Sequence, residues 1–283
     1  MNNSGILRSI LPQLGWYPDD AAELKETLQG LLGPQRPDPK MTGIIAPHAG
    51  YAYCGATAAA AFRLLDPHTI RHVIAIGPSH HYHLANQVSL LDYTALRTPL
   101  GDLMINQDYT QALLTAPSAI SAPEVHANEH SNQILAPFIQ YLLPEATFTS
   151  MIIGQLDTGD SIALAKHIRP LLQPDTLLLI SSDFTHYGPR FDYTPFHDNI
   201  PDQIKAIDMA ALAYIYHLDA DGFRHFIETT PTTICGRFAI ELMLRALDGP
   251  HRVQDLDYHR SAEDNDDWTH SVSYLSMAIS KGP

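Results

Sequence analysis

Fully apolar runs alternate with amphipathic segments along most of the chain. Residues 73–76 and 177–180 are apolar at every position, which is typical of strands buried on both faces of a sheet. Residues 162–172 and 238–247 instead carry apolar side chains at helical spacing. The pattern predicts strands at residues 43–46, 73–76, 87–91, 148–153, 177–180, 253–258 and 272–278. It predicts helices at residues 24–32, 56–65, 107–115, 134–143, 162–172, 204–217, 220–228 and 238–247.

This alternation of strands and helices predicts an α/β fold. Strands that are apolar on both sides need helices on both faces of their sheet, which gives a three-layer α/β/α arrangement around a central mixed, largely parallel sheet. No internal repeat, low-complexity tract or Gly/Ser linker divides the 283 residues. We therefore expect a single domain over residues 1–283.

The charge balance narrows the classes of partner. The chain carries 17 basic and 31 acidic side chains, for a formal net charge of −14. Such a chain repels phosphate backbones and anionic membranes, so neither nucleic acid nor a membrane is expected as a partner. The N-terminal residues lack the basic and apolar regions of a signal peptide, and no apolar stretch approaches the ~18 residues that span a bilayer. A cytoplasmic location is expected.

Histidines follow three of the predicted strands. His48, the pair His80 and His81, and His186 each come directly after an apolar run. In an open α/β sheet, ligands bind beyond the carboxyl ends of the strands. We expect these histidines to converge there, and convergent imidazoles indicate a metal site.

Each histidine also has a simpler explanation. His48 lies between Pro47 and Gly50, so it sits at the apex of a turn and is equally consistent with a surface position. His80 and His81 are adjacent and point in different directions. At most one of them is expected to bind a metal, while the other orients it or touches substrate.

Asp183 and His186 follow the strand at 177–180. A carboxylate at a strand end is costly to bury unless it is paired, and a nearby histidine or metal would supply the partner. The alternative is that Ser182 or Asp183 caps a short turn. Glu129 and His130 precede the helix at 134–143 and are candidates for the same crevice, which is compatible with Ser131 acting as a helix cap.

The two cysteines are Cys54 and Cys235. Cys235 comes just before the helix at 238–247, where a helix N-terminus would favour the thiolate. From their surroundings alone, however, both cysteines are better explained as small buried apolar residues. The chain has no Gly-x-Gly-x-x-Gly or Walker loop, no Gly-x-Ser-x-Gly elbow and no His-Glu-x-x-His, which argues against nucleotide binding, serine hydrolases and zincins.

Seven blocks of the sequence together resemble the Memo family. The first reads Ile-Ala-Pro-His-Ala-Gly-Tyr-Ala-Tyr-Cys-Gly, at residues 45–55. The others follow in family order at residues 77–81, 97–101, 129–131, 181–188, 233–236 and 271–274. The similarity extends from residue 15 to the C-terminal strand. One departure is Gln133, where the family usually has Glu in Glu-His-Ser-x-Glu.

The resemblance implies a fold similar to the catalytic subunit of class III extradiol dioxygenases. Those enzymes hold non-haem Fe(II) with two histidines and a carboxylate, and use a further histidine as acid and base. By motif, His48 and His80 match the two histidine ligands, and Cys235 falls at the carboxylate position. Asp183 and His186 match the catalytic acid/base end of the pocket.

Two imidazoles and one anionic ligand leave open positions on a metal, as in Fe(II) oxygenases. A thiolate favours Fe(II), Cu or Zn over Mg or Ca, and it makes the site easy to oxidise. Fe(II) is the expected metal, with Cu and Zn as alternatives. His81, Glu129, His130 and Tyr51 are expected to orient the ligands or touch substrate.

The resulting hypothesis is a metal-dependent redox enzyme, dioxygenase-like, that acts on an unidentified small molecule or peptide. A second hypothesis is a non-catalytic module that binds a peptide or protein in the same pocket. A third is a metal-free thiol enzyme with Cys235 as nucleophile and His186 as base. The resemblance also implies association with a radical-SAM protein and an AMMECR1-like protein, as in the AmmeMemoRadiSam system of bacteria and archaea.

Overall fold

A computed structural model describes residues 5–282 of the chain. The strands are β1 (Ile6–Arg8), β2 (Met41–Ala46), β3 (His72–Pro78), β4 (Val88–Leu90), β5 (Ala95–Thr98), β6 (Gly101–Met104), β7 (Ala119–Ser121), β8 (Thr147–Ile153), β9 (Thr176–Ser181), β10 (His186–Tyr187), β11 (His251–Arg260) and β12 (Ser271–Lys281). The helices are α1 (Ala21–Leu32), α2 (Tyr51–Phe62), α3 (Gln107–Leu113), α4 (Pro123–Ala127), α5 (Ala136–Leu142), α6 (Thr158–Ile168), α7 (Ile200–Tyr216), α8 (Ala220–Thr229) and α9 (Arg237–Ala246).

The larger sheet has the strand order β10-β12-β2-β9-β3-β8-β4-β7, and β11 pairs with β12 outside this path. Its four middle strands, β2, β9, β3 and β8, are all parallel. Antiparallel pairing joins β12 to β2 on one side and β4 to β8 on the other. The predicted mixed sheet is confirmed, and its parallel centre places the carboxyl ends of β2, β9 and β3 side by side.

The two faces of this sheet carry separate hydrophobic cores. Along β9, Leu177 and Leu179 pack into one core, and Leu178 and Ile180 pack into the other. Helices α1, α2 and α5 cover the first face, whereas α6, α7, α8 and α9 cover the second. Since successive strand residues point to opposite faces, an uninterrupted apolar run is what this position requires. The expected α/β/α layering is confirmed.

A second, three-stranded sheet of order β1-β5-β6 was not predicted. Its strands are three or four residues long and partly polar, so they lack the apolar run that identifies a buried strand. Helix α2 also begins five residues before the expected start at 56. The Tyr51 N–H donates to the Trp16 carbonyl at 2.9 Å, and this distant contact fixes the first turn. The single-domain assignment for residues 1–283 stays a prediction.

Within residues 5–282, no helix combines the length and the apolar character needed to cross a lipid bilayer.

Candidate metal centre

The carboxyl edge of the parallel strands brings together three side chains of types that can bind metal. His48 follows β2, His80 follows β3, and Cys235 lies two residues before α9. One donor atom from each of the three lies within 4.8 Å of the others. The sulfur of Cys235 is 3.2 Å from Nε2 of His48. The cluster matches the predicted ligand set by position; its role as a ligand set stays a prediction.

The His48 imidazole is buried, and its hydrogen bonds set its tautomer. Its Nδ1 lies 2.8 Å from the Ser181 hydroxyl, which itself donates to the Ser131 carbonyl at 2.5 Å. The one hydroxyl proton is used on that carbonyl, so Nδ1 of His48 must be the donor to Ser181. Nε2 of His48 is therefore the ring nitrogen that faces Cys235.

A buried carboxylate fixes His80 in the same way. Glu129 accepts from Nδ1 of His80 at 2.8 Å and from the His80 backbone N–H at 2.6 Å. Burial alone would raise the pKa of Glu129, but these contacts with His80 lower it to about 2. A histidine that donates to a carboxylate presents its other nitrogen as a more basic metal ligand. Glu129 thus orients His80 from behind.

The sulfur of Cys235 is flanked by imidazoles and one peptide group. The Asp183 backbone N–H donates to Sγ at 3.1 Å. Burial would raise the pKa of Cys235, yet His48 and His80 together lower it to about 6. The thiolate is therefore the main form at neutral pH. Two distant imidazoles, which local sequence does not reveal, account for this lowering.

The contact with Cys235 also changes the pKa of His80, and it raises that pKa. Burial lowers the pKa of His80, but Cys235 and Glu129 raise it to about 10. Without metal, His80 holds a proton between two anions. A metal ion that binds Cys235 and His80 would displace that proton, as metal sites formed from Cys and His do.

Asp183 and His186 lie beside these ligands in different roles. Asp183 is buried, and its Oδ1 accepts from the His48 backbone N–H at 2.8 Å, so it holds the turn that carries His48. Burial raises the pKa of Asp183, and the electrostatic interaction with His186 opposes this. Nδ1 of His186 lies 2.9 Å from the Phe184 carbonyl and 3.1 Å from that of Thr233. Since carbonyls only accept, His186 presents a free Nε2.

The Ser182 hydroxyl makes a capping-type contact at the start of α9, rather than in a short turn directly after the strand. The Ser182 hydroxyl accepts from the Gly236 N–H at 3.1 Å, just ahead of α9, and donates to the Asp183 carbonyl at 2.9 Å. Ser182 therefore ties the end of β9 to the start of α9. That contact brings Cys235 to the carboxyl edge of the sheet.

Of the other predicted site residues, some lie at the candidate centre and others lie away from it. The His130 ring stacks on His80 with centroids 4.4 Å apart, and burial with repulsion from His48 and His80 lowers its pKa to about 2. Glu129, His80 and His130 also form a group that could hold a metal. His81 is exposed, with its ring 6.2 Å from His130. The hydroxyl of Tyr51 donates to the Ile134 carbonyl inside the first core, away from the cleft lining.

Two further positions have structural surroundings. Gln133, which replaces the usual Glu, is buried and donates to the His126 carbonyl at 2.6 Å. Cys54 is buried, and burial raises the pKa of its thiol well above the usual value. This placement agrees with the expectation that Cys54 is a core residue.

The centre lies where two lobes of one cleft meet, and His80, His186 and Phe191 line both. The first lobe, of about 610 Å³, is lined by Pro78, Ser79, His80, Tyr82, His83, Leu84, Ile153, Gly154, Gln155, His186, Phe191, Thr232, Thr233, Cys235, Arg237 and Phe238. The second lobe, of about 670 Å³, is lined by Trp16, His48, Ala49, Tyr53, His80, His130, Asp183, His186, Arg190, Phe191, Ser261, Asp264, Asn265, His270, Val272 and Tyr274.

The sequence did not single out several of these residues. No role was predicted for Ser181, which follows the apolar run at 177–180, or for Arg237, which precedes the predicted helix at 238–247. Only the position of Arg237, two residues after Cys235, was a usable signal. Trp16 reaches the site from an N-terminal segment and packs on His130 at 4.7 Å.

Comparison with known proteins agrees with the blocks read from the sequence. Residues 15–278 match the model of the family described as Memo-like protein. Protein MEMO1 of Homo sapiens is 30% identical over 295 aligned residues, which cover 99% of each chain. Protein MEMO1 of Danio rerio is 31% identical over 301 residues with the same coverage. A crystal structure of an uncharacterized protein from Escherichia coli K12 superposes with a TM-score of 0.49 and 11% identity, covering 86% of this chain and 100% of that one. With the family model spanning most of its length, the chain belongs to the Memo family.

Proposed function

We propose that the protein is a metal-dependent redox enzyme whose mononuclear site consists of His48, His80 and Cys235. The observation that carries the proposal is the direction of the two imidazoles. Each uses its Nδ1 on a fixed partner, Ser181 or Glu129, and turns Nε2 to the Cys235 thiolate. This arrangement supplies three ligand atoms around one point.

The donor atoms fit a metal ion in chemistry and spacing. Bonds of about 2.0 Å to nitrogen and 2.3 Å to sulfur that meet near a right angle separate the two ligand atoms by about 3 Å. Nε2 of His48 and Sγ of Cys235 are 3.2 Å apart. Two imidazoles and a thiolate suit Fe(II) first, with Cu or Zn as alternatives. An Fe(II) ion bound there would supply open positions for O₂ or substrate and one-electron chemistry.

The surrounding residues then have separate tasks. His186 presents a free Nε2 in the cleft and is placed to accept or return a proton during the reaction. Asp183 holds the His48 turn in position, and Glu129 keeps His80 aligned. Trp16 and Phe191 line the second lobe beside the candidate ligands. The substrate, a small molecule or peptide, would enter through the cleft.

Metal analysis tests this proposal directly. Wild type purified from iron-supplemented cells should contain close to one equivalent of metal, and a His48→Ala/Cys235→Ala variant should contain almost none. Cys54→Ala is the matched control, because it removes a thiol outside the centre and should keep the metal. Equally low metal in wild type and double variant would contradict the proposal.

A metal-free thiol enzyme is the second candidate, favoured by the pKa of about 6 at Cys235 and by His186 in the same lobe. It predicts rapid, stoichiometric alkylation of Cys235 near neutral pH and activity that persists in chelator. Slow alkylation of the accessible thiol would rule it out.

A peptide- or protein-binding role is favoured by the size of the cleft, with lobes of about 610 and 670 Å³. In that case Cys235→Ser should leave peptide binding unchanged. Loss of binding only on removal of the metal ligands would count against it. Association with radical-SAM and AMMECR1-like proteins stays a prediction from the family.

A further inference from the structure

The first lobe differs in charge from the rest of the molecule. None of its lining residues, all within the described part of the chain, is an aspartate or glutamate, although the chain carries 31 acidic side chains. Its cationic side chain is Arg237, accompanied by three histidines, and the anion beside it is the Cys235 thiolate of the candidate metal centre. The second lobe contains Asp183 and Asp264 beside Arg190. A cleft that holds a guanidinium and no carboxylate favours ligands of negative charge.

Contacts with a backbone carbonyl and an aromatic ring hold the Arg237 side chain in place. Its Nη1 donates to the Ile234 carbonyl at 3.2 Å, and its guanidinium lies 5.1 Å from the centre of the Phe238 ring. The arginine ion pairs found within residues 5–282 involve Arg97, Arg224, Arg245 and Arg260. Arg237 belongs to none of them, so most of its N–H donors remain available to a ligand.

The neighbouring Arg224 differs from Arg237 because it is paired with a buried carboxylate. Arg224 lies against the same Phe238 ring, 5.2 Å from its centre, and is paired with Glu241 at 2.5 Å. An arginine left without a carboxylate in a partly buried lobe keeps its charge for whatever enters. Guanidinium groups bind carboxylate and phosphate oxygens through two parallel hydrogen bonds.

We propose that the first lobe binds the oxyanion group of a small anionic substrate, a carboxylate or phosphate, with Arg237 as the residue that determines this specificity. Arg237 lies two residues from Cys235, so a molecule anchored there extends toward the metal centre. A lobe of about 610 Å³ is within the usual range of small-molecule sites. The substrate class rests on the proposed function, whereas anion binding itself does not require the metal.

The test uses full-length protein stripped of metal with chelator, with inorganic phosphate and malonate as probes. Calorimetric titration at constant ionic strength should show binding of at least one probe to wild type. Arg237→Gln should weaken that binding by about tenfold or more, since hydrogen bonds to charged groups contribute ~1.5–3 kcal/mol. Arg190→Gln, which removes the arginine of the second lobe, should change it less than twofold. The probe that binds more tightly distinguishes a carboxylate from a phosphate substrate.

A second measurement places the anion in the first lobe. The bound probe should slow alkylation of Cys235 in wild type and should not do so in Arg237→Gln. Arg237→Lys keeps the charge without the planar fork and should give intermediate affinity, which also covers the case in which the glutamine variant folds poorly. Equal affinity in wild type and Arg237→Gln, or no binding of either probe at millimolar concentration, would overturn the proposal.

Metal content is measured on the same variants. Arg237→Gln should hold as much metal as wild type, so a failure of the metal proposal and a failure of the anion proposal are separately visible. Binding that occurs only in metal-loaded protein and ignores Arg237 would mean that the anion sits on the metal, and would overturn the assignment.

Discussion

The ion network on α8 and α9 and the candidate metal centre differ in which side-chain atoms remain without a charged partner. In the ion network on α8 and α9, Glu241 contacts Arg224 at 2.5 Å and Arg245 at 2.6 Å. Every charge there has an opposite charge beside it. In the candidate metal centre, His48 and His80 each use Nδ1 on a fixed partner, and Nε2 of His48 faces the Cys235 sulfur. Complete pairing of opposite charges indicates a structural role, whereas nitrogen and sulfur ligand atoms that converge on one point indicate a binding site.

The largest expected effect follows from breaking the ion network. Glu241→Gln leaves two arginines, each 9% exposed in its side chain, without their buried carboxylate. Removing one partner of a buried pair costs ~3–5 kcal/mol, and we expect a loss of that size in the free energy of unfolding. Denaturant unfolding of wild type and variant measures it.

Two control variants test whether the loss of stability comes from breaking a buried ion pair. Glu228→Gln removes the exposed partner of Arg224, 3.7 Å away, and should cost less than ~1 kcal/mol. Cys235→Ala in metal-free protein should also change stability little. If that variant lost as much stability as Glu241→Gln, the centre would be structural and the contrast would fail.

The next effect concerns the carboxylate behind His80. Glu129→Gln removes the charge that orients His80, and changes of this kind reduce metal affinity by ~10–100-fold. Competition with a chromogenic chelator measures the affinity, and Glu124→Gln, on the nearby helix α4, is the control. Unchanged affinity in Glu129→Gln would show that His80 is oriented without the carboxylate.

A smaller, pH-dependent effect on the free energy of unfolding is expected from His126. His126 is fully enclosed, and burial lowers its pKa to about 4 from the ordinary value near 6.5. Between these values the unfolded chain binds more protons than the folded one, so stability falls as the pH is lowered from 6.5 toward 4. Between pH 7.5 and 5 the loss from this group is ~2 kcal/mol.

Urea unfolding at these two pH values, in wild type and in His126→Gln, checks this contribution. The variant should lose less stability on acidification, by about the same amount. An identical pH dependence in the two proteins would show that His126 does not titrate as its burial implies.

Local sequence predicted those parts of the site that depend on position along one strand. His48, His80, Asp183 and His186 were found because each follows an apolar run. The hydrogen bonds that orient them join residues far apart, such as His80 with Glu129 and Ser181 with Ser131, about 50 positions away. No local pattern encodes such contacts. Cys235 was identified only through the family resemblance, since its immediate surroundings suit a core residue.

The fold, like the site, was predicted only where local sequence determines the structure. The apolar runs identified the parallel centre of the large sheet, because burial on both faces requires them. They did not identify β1, β5 and β6, whose short strands are held by pairing with one another. The start of α2 was misplaced because a contact with Trp16, rather than a local cap, defines it.

The meeting of two lobes at one centre has a kinetic consequence for the proposed enzyme. A molecule seated beside Arg237 leaves the opposite approach past Trp16 and His130 open, so two reactants can occupy the cleft together. An inhibitor shaped for the first lobe is then expected to compete with the molecule that enters there, and to leave the apparent affinity for a second reactant largely unchanged.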